Sequence, residues 1–282
     1  MASESVGGQP AHRSPVRIAF DSRHRLLVSD YNQQMILVLN PATLAMAGGF
    51  GVAGRPLGVA CWKDRILVGN ETRGRVEVCD ASGKRLYDLG DAATTISQPT
   101  DIAVDTTRSL VFVVDGREKA VKVFSTSGPL VRTIGGPGPV LDPLLAPTGI
   151  ALDTAHRLVF VSDYGSPADY IAARVQIYDY SGNHVGAISG KQGMLGERFS
   201  RPQGLAVDTA GRLFLVESLY GQILVFDVST GIQLKTIGDF GSNPGQLRLP
   251  LDIVMDDATK DLFVANNRFG RIEVFRGGGR LP

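Results

Sequence analysis

The sequence predicts an all-β fold, a six-bladed β-propeller of four-stranded antiparallel blades, and two observations carry this prediction. The first is an internal repeat of 41 to 55 residues that begins with proline, at Pro15, Pro56, Pro99, Pro147, Pro202 and Pro250. The second is that each repeat contains three apolar runs, and all repeats but the last contain a weaker fourth run. Four strands in a repeat of about 40 to 50 residues are typical of a propeller blade.

Each apolar run has the composition of a β-strand. In the third repeat the four runs read PTDIAVD, LVFVVD, AVKVFS and LVRTIG. The runs are rich in Val, Ile, Leu and Phe and are bounded by Gly, Pro, Asn and Asp, which mark strand ends. No stretch keeps the apolar period of a helix over a helical length. We therefore expect residues 1–282 to form a single propeller domain, with blades starting near residues 15, 56, 99, 147, 202 and 250.

The last repeat ends at RIEVF (271–275) and has no fourth run of its own. The N-terminal segment offers a replacement, since its Val-Gly-Gly precedes the first proline by the same interval as an Ala-Gly-Gly precedes the second. We expect residues 2–7, within a residue or so, to complete the last blade as its outer strand, pairing with Ile272–Phe275. This pairing would join the two chain ends and cover an exposed sheet edge.

The repeat resembles the NHL repeat family. The shared pattern is proline, a Gly-Ile-Ala-like strand closed by Asp, an aliphatic strand ending in Asp or Asn, and then Arg-Ile/Val-x-Val-Phe. The fourth repeat here reads PTGIALD, LVFVSDYG and ARVQIYDYSG, and the resemblance covers nearly all of residues 14–276. It implies a propeller that serves as a scaffold for protein or RNA binding, and relatives with similar blades include lyases and calcium-dependent lactonases.

The chain has 29 Lys and Arg residues and 28 Asp and Glu residues, so its net charge is +1. This balance gives no support to nucleic-acid binding by overall charge. No stretch approaches about 18 consecutive apolar residues, which predicts that the chain does not insert into a membrane. The first residues, MASESVGG, lack both the basic and the apolar region of a signal peptide. The sequence therefore predicts a cytoplasmic location, with export as the alternative.

The chain has two cysteines, Cys61 and Cys79, on the predicted first and third strands of the second blade. Two strand spacings would put them about 9–10 Å apart. A disulfide requires Cα atoms within about 7 Å of each other. We therefore expect two free thiols.

Short polar side chains end the first two strands of most repeats. The first-strand set is Asp21, Asp105, Asp153, Asp208 and Asp256. The second-strand set is Asp30, Asn70, Asp115, Asp163, Glu217 and Asn266. Such side chains accept hydrogen bonds from nearby backbone N–H groups in turns and loops. Because they recur once per blade, we interpret them as architectural and not catalytic.

The residue two positions after each proline is expected at the mouth of the central channel. These residues are Arg17, Gly58, Asp101, Gly149, Gly204 and Asp252. Asp101 and Asp252 should face each other across the ring, where two carboxylates could begin a calcium site. Arg17 is the expected partner of Asp252, and glycine at three positions argues against a lactonase-like site. Because the histidines also lie outside the innermost strands, we predict no metal site, no cofactor and no catalytic residue.

The loops between the second and third strands should emerge together on one face of the propeller. From them we predict these partner-binding residues: Tyr31, Arg73, Arg117, Tyr164, Tyr170, Ile171, Arg174, Tyr220, Arg268 and Phe269. Tyr and Arg anchor protein interfaces, and aromatic residues with Arg also suit single-stranded RNA. The alternative is that Arg75, Arg174 and Arg271 only pair with the strand-end acids beneath them.

The fourth repeat carries the longest of these loops, YGSPADYIAAR at 164–174. Its aromatic and apolar side chains predict a ridge that touches a protein partner, another copy of this chain included. Together the residues favour a non-enzymatic scaffold that binds a protein partner through one loop face. The alternatives are a propeller enzyme of the lactonase or lyase type, with its site at the channel mouth, and an RNA-binding module.

Overall fold

Six antiparallel sheets of four strands form a ring in the computed structural model, which describes residues 3–5, 13–91, 93–136, 143–190 and 198–280. Each sheet packs against the next one along the chain, and the sixth packs against the first. The ring confirms the predicted all-β, six-bladed propeller. The blades are numbered 1 to 6 in chain order, and the strands of each blade are counted outward from the central channel.

The strand bounds repeat closely from blade to blade. The innermost strands are Pro15–Phe20, Pro56–Trp62, Pro99–Asp105, Pro147–Asp153, Pro202–Val207 and Pro250–Met255. The second strands are Leu26–Asp30, Arg65–Asn70, Leu110–Asp115, Leu158–Asp163, Arg212–Glu217 and Leu262–Asn266. The third strands are Met35–Leu39, Arg75–Cys79, Ala120–Ser125, Arg174–Asp179, Gln222–Asp227 and Arg271–Phe275. The outer strands are Met46–Gly51, Arg85–Asp88, Leu130–Gly135, His184–Ser189, Gln233–Ile237 and Ser3–Ser5.

Proline is the first residue of every innermost strand, and the pairing register shifts directly after it. In blade 1 the shift lies between Pro15 and Arg17, and in blade 3 between Pro99 and Asp101. Proline has no N–H to offer to the ladder, so it is tolerated at a strand start or beside a bulge. The bulge therefore falls at the residues that line the channel mouth.

The N-terminal strand closes the ring, as the sequence predicted. Ser3–Ser5 pairs antiparallel with the third strand of blade 6, Ser3 opposite Phe275 and Ser5 opposite Glu273. The other residues predicted for this strand, 2, 6 and 7, lie outside the described residues. The first and last of the described strands are therefore neighbours in one sheet.

The core lies between neighbouring blades and not within any one of them. Phe112 in blade 3 packs with Val159 of blade 4, and Phe263 in blade 6 packs with Leu37 of blade 1. These side chains are close to fully buried. Because each cluster joins two sheets, removing one blade would expose the apolar faces of both its neighbours.

Helical structure is limited to short 3₁₀ turns, Pro167–Asp169 and Asn267–Phe269, in the part of the chain that is described. Among those residues no helix has the length and apolar character needed to cross a membrane. Two short strands, Asp239–Phe240 and Gln246–Leu247, pair in parallel within the connection from blade 5 to blade 6.

Both cysteines are free thiols, as expected. Cys61 lies opposite Ile66, and Ile66 lies opposite Cys79, so the second strand of blade 2 separates the two sulfur atoms. Burial raises the pKa of both thiols, that of Cys79 to about 11.

Thiol titration of the denatured, non-reduced protein will find two reactive thiols. The native protein will react slowly with the same reagent at neutral pH, because the raised pKa values leave little thiolate. A Cys79→Ser variant will retain one thiol, that of the half-exposed Cys61. Absence of free thiols after denaturation would contradict the strand order of blade 2.

Candidate functional site

The two faces of the propeller are distinguished by their loops. Each innermost strand begins on the face where its second strand ends, as the pairing of Pro15 with Asp30 shows. We call this the loop face. Its loops are residues 31–34, 71–74, 116–119, 164–173, 218–221 and 267–270. The turns between first and second strands lie on the opposite face.

Arg17 closes the channel near the loop face. Its guanidinium donates hydrogen bonds to the backbone carbonyl oxygens of Thr100 (3.1 Å), Thr148 (2.6 Å) and Leu251 (2.5 Å). These three residues belong to blades 3, 4 and 6, whereas Arg17 belongs to blade 1. Only 5% of Arg17 is exposed. One buried side chain therefore ties four blades together at the axis.

Asp101 and Asp252 are buried beside this guanidinium. Arg17 forms its ion pair with Asp101, with 3.4 Å between Nε and Oδ1, and not with Asp252, so the partner predicted from the sequence was wrong. The physical reason is that the guanidinium reaches blade 6 at the backbone carbonyl oxygen of Leu251 and not at the Asp252 carboxyl group. Asp252 instead accepts a hydrogen bond from the backbone N–H of Ile18 (2.8 Å), and Asp101 accepts one from that of Ile150 (3.0 Å).

The two carboxyl groups influence each other's protonation. Burial and the nearby charge of Asp101 raise the pKa of Asp252 to about 8, although Arg17 and backbone N–H groups lower it. Burial likewise raises the pKa of Asp101, and Arg17 opposes this shift. Like charges held close together in a poorly solvated site disfavour double ionisation. At neutral pH the pair therefore retains a proton.

Below this closure the channel opens toward the opposite face as a cavity of about 310 Å³. Val59, Ile102 and Leu205 contribute apolar wall, and the two carboxyl groups lie at the closed end. Within the described residues, no three His, Cys, Asp or Glu side chains are grouped so that they could hold a metal ion. The buried carboxylates act here as hydrogen-bond acceptors that join neighbouring blades.

The strand-end side chains have the architectural role that their repetition predicted. Asp163 accepts hydrogen bonds from the backbone N–H groups of Leu145 and Ala146, which lead into the innermost strand of the same blade. Asp208 accepts from the backbone N–H of Arg212 and from its guanidinium. Each carboxylate therefore fixes a loop against its own blade.

Some predicted contact residues are engaged within blades 1 and 2. The Tyr31 hydroxyl donates to Glu71 (2.7 Å) and accepts from Arg55 (2.8 Å), which links the first two blades. Arg73 forms an ion pair with Glu77 at 2.8 Å. These side chains stabilise the loops that carry them.

Two further predicted residues are engaged in blade 4. The guanidinium of Arg174 donates to Asp163 (3.3 Å) and to the carbonyl oxygen of Pro143 (2.6 Å). Tyr164 is half-buried and accepts a hydrogen bond from Gln203 of blade 5. The architectural alternative therefore describes Arg174 well.

Tyr170 is at the tip of the long loop and is 91% exposed. The backbone at Ile171 pairs with Ser166 on the other side of the tip, and Tyr170 itself has a left-handed φ of 58°. The pairing holds the loop as a compact turn, with the aromatic ring outside and Ile171 half-buried. Contact between this ridge and a partner stays a prediction.

The last four predicted residues divide between two places. Arg117 is exposed on blade 3, whereas Tyr220, Arg268 and Phe269 lie on blades 5 and 6. Sequence reasoning missed their exposed neighbours Leu219, Phe240, Arg248 and Leu249. Three of these four lie in the connection between blades 5 and 6 and not in a loop between second and third strands. The apolar residues of its segment DFGSNPGQLRLP (239–250) were the available signal.

Comparison with known proteins supports the repeat type. No family model matches the chain. A segment of 94 residues is 35% identical to the E3 ubiquitin-protein ligase NHLRC1 of Homo sapiens. The match takes in 32% of this chain and 24% of that protein, so the chain is compared with only about a quarter of its relative.

Solved structures share the fold at low sequence identity. A gluconolactonase from Xanthomonas campestris superposes with a TM-score of 0.70 at 17% identity, covering 94% of this chain and 86% of that one. Hydrazine synthase from Kuenenia stuttgartiensis gives 0.69 at 12% identity, covering 98% and 99%. A streptogramin B lyase gives 0.65 at 11% identity, covering 97% and 96%. This agreement identifies the chain as a six-bladed β-propeller by fold, and the partial match to NHLRC1 supports the resemblance of its proline-led repeats to NHL repeats.

Proposed function

We propose that residues 1–282 form one cytoplasmic propeller domain, a non-enzymatic scaffold that binds a protein partner through its loop face. The observation that carries the proposal is the exposure of large side chains on this face, Tyr170 foremost. Exposed aromatic side chains beside arginines are typical anchors of protein interfaces. Arg17 closes the channel on the same side. A partner on the loop face would therefore contact the exposed loops and would not enter the channel.

The enzyme alternative places a site at the channel mouth, as in lactonase- or lyase-type propellers. Two features favour the scaffold. The guanidinium of Arg17 occupies the axis, and backbone N–H groups already donate to Asp101 and Asp252. A substrate at the loop-face mouth would have to displace a side chain that bonds to three other blades.

Replacing Tyr170 and Ile171 together with alanine will reduce capture of the partner by about tenfold, because truncated interface anchors commonly cost this much. The measurement is quantitative mass spectrometry of proteins retained from native lysate by the immobilised propeller. The double variant will keep its melting temperature, since Tyr170 lies outside the blade cores.

The matched control is Val185→Ala with Ile232→Ala, which removes two exposed apolar side chains, one on the outer strand of blade 4 and one directly before the outer strand of blade 5. This control will leave capture unchanged. Equal capture by the wild type and by the Tyr170→Ala, Ile171→Ala variant, at equal melting temperature, would contradict the role of the ridge.

A further inference from the structure

One continuous surface on blades 5 and 6 stands out on the loop face. We call it the blade 5–6 patch and define it by Leu219, Tyr220, Phe240, Arg248, Leu249 and Arg268. Backbone contacts hold its parts together, because the N–H of Arg268 donates to the carbonyl of Arg248 and the N–H of residue 267 to that of Leu249.

Glycine at position 221 allows the loop of blade 5 to approach the segment that carries Phe240 and Leu247. A Cβ there would lie 2.3 Å from the carbonyl oxygen of Leu247 and 3.1 Å from the Cα of Phe240. Gly221 also has a left-handed φ of 63°. The loop bearing Tyr220 is therefore packed directly against the strand bearing Phe240.

The patch exposes four large apolar side chains in this one region. The exposed fractions are 41% for Leu219, 45% for Tyr220, 54% for Phe240 and 37% for Leu249. Contiguous apolar surface of this kind marks interaction sites on proteins. The rim of the propeller has exposed apolar residues as well, but these are distributed over or beside the outer strands of five different blades.

Leu249 is held in a strained conformation. Its φ is 53°, in the left-handed region, and the next residue is Pro250. A proline disfavours helical backbone conformations in the residue before it, and the Cβ of any residue other than glycine disfavours left-handed ones. The equivalent residues of the other five blades, all described, have no positive φ. Backbone strain that survives in the folded state concentrates at binding sites.

The charge of the patch is positive. Arg248 stacks over the ring of Phe240 at 5.3 Å, and both Arg248 and Arg268 are exposed. Nearby Glu217 and Glu273 are buried. Glu217 accepts a hydrogen bond from the backbone N–H of Tyr220 (2.6 Å), and Glu273 accepts one from that of residue 245 (2.7 Å). Asp239 is the exposed acid beside Phe240. Two arginine side chains therefore face solvent next to apolar surface.

We propose that the blade 5–6 patch binds an acidic linear peptide that carries a large apolar side chain. The apolar side chain is received by Leu219, Phe240 and Leu249, and the peptide carboxylates pair with Arg248 and Arg268. Complementary charge beside an apolar centre is the usual composition of a protein interface. This inference rests on the proposed function, since it names the chemistry of the partner.

The test begins with a phage library of random linear peptides selected on the wild-type propeller. Enriched peptides will have net negative charge and at least one aromatic or large aliphatic residue. Fluorescence anisotropy of a labelled enriched peptide will show affinity at least about tenfold lower for Arg248→Glu, Arg268→Glu than for wild type. Phe240→Ser will weaken binding as well. A charge-matched control, Arg23→Glu with Arg132→Glu, will bind like wild type.

Several results would overturn the proposal. These are no enrichment, enrichment of neutral or basic peptides, or equal binding by wild type and Arg248→Glu, Arg268→Glu. Tighter binding of a labelled oligouridine, lost in the same variant, would assign the patch to RNA. If the wild type sediments as a dimer and the Arg248→Glu, Arg268→Glu variant sediments as a monomer, the patch binds a second copy of the chain.

Failure of this inference is distinguishable from failure of the proposed function. If Arg248→Glu, Arg268→Glu captures partners normally while Tyr170→Ala, Ile171→Ala does not, the peptide proposal is wrong and the scaffold stands. If neither variant changes capture, both proposals are wrong.

Discussion

Replacement of Arg17 by methionine will lower the free energy of unfolding by about 3 to 5 kcal/mol, the usual cost of breaking a buried ion pair from one side. Methionine fills similar volume, so the loss comes from the guanidinium. Without it, carbonyl oxygens from three other blades lose their donor, and the buried Asp101 loses its counter-charge. Denaturant titration followed by circular dichroism measures the change.

The matched control is Arg23→Met, the same substitution at an exposed arginine on the opposite face. It will change the free energy of unfolding by no more than about 0.5 kcal/mol. Asp101→Asn will lower the free energy of unfolding by less in the Arg17→Met variant than in the wild type, because the ion pair that it removes is already absent from Arg17→Met. If Arg17→Met is as stable as Arg23→Met, the closure contributes nothing to stability.

The wild-type free energy of unfolding will carry a contribution from Asp252 that declines as pH rises from about 4 to about 8. In the folded state the pKa of Asp252 is raised to about 8 by burial and by Asp101. In the unfolded chain the same carboxyl titrates near its ordinary value of about 4. Between these values the folded state holds the extra proton, so stability falls with pH, by up to about 1.4 kcal/mol per pH unit.

An Asp252→Asn variant isolates this contribution, because the amide stays neutral and can still accept from the N–H of Ile18. Relative to wild type, the variant will become steadily more stable as the pH rises from about 4 to about 8, which is the pKa of Asp252 in the folded state. The control is Asp257→Asn, a neighbouring exposed carboxylate, whose stability profile will run parallel to wild type. A constant difference between Asp252→Asn and wild type across this range would contradict the raised pKa.

The fold followed from the sequence because its determinants are local and repeated. Proline, alternation of apolar residues and turn residues recur in each blade, so a single misread run would not have changed the blade count. The closing strand at Ser3–Ser5 was predictable by default, since the third strand of blade 6 had no outer neighbour of its own. The free cysteines followed from strand order alone.

The site was less predictable because it depends on contacts between residues far apart in the chain. Arg17 contacts Thr148, 131 residues away, and nothing local to either residue indicates this. Tyr31 and Arg174 look like interface residues in the sequence, yet they are bonded to Glu71 and Asp163. Exposure and pairing are properties of the assembled ring, which loop composition alone does not determine.

The shared sheet of the first and last strands also constrains the order of events during synthesis. Ser3–Ser5 is synthesised before the other described strands of the propeller, and its partner strand Arg271–Phe275 is synthesised after them. At about 5–20 residues per second, the interval is some tens of seconds. Throughout it the nascent chain has a free N-terminal strand, and the apolar faces at the two ends of the growing stack of blades are uncovered. We expect the complete propeller to form only after Arg271–Phe275 has left the ribosome, which makes this interval the period when the chain most depends on chaperones.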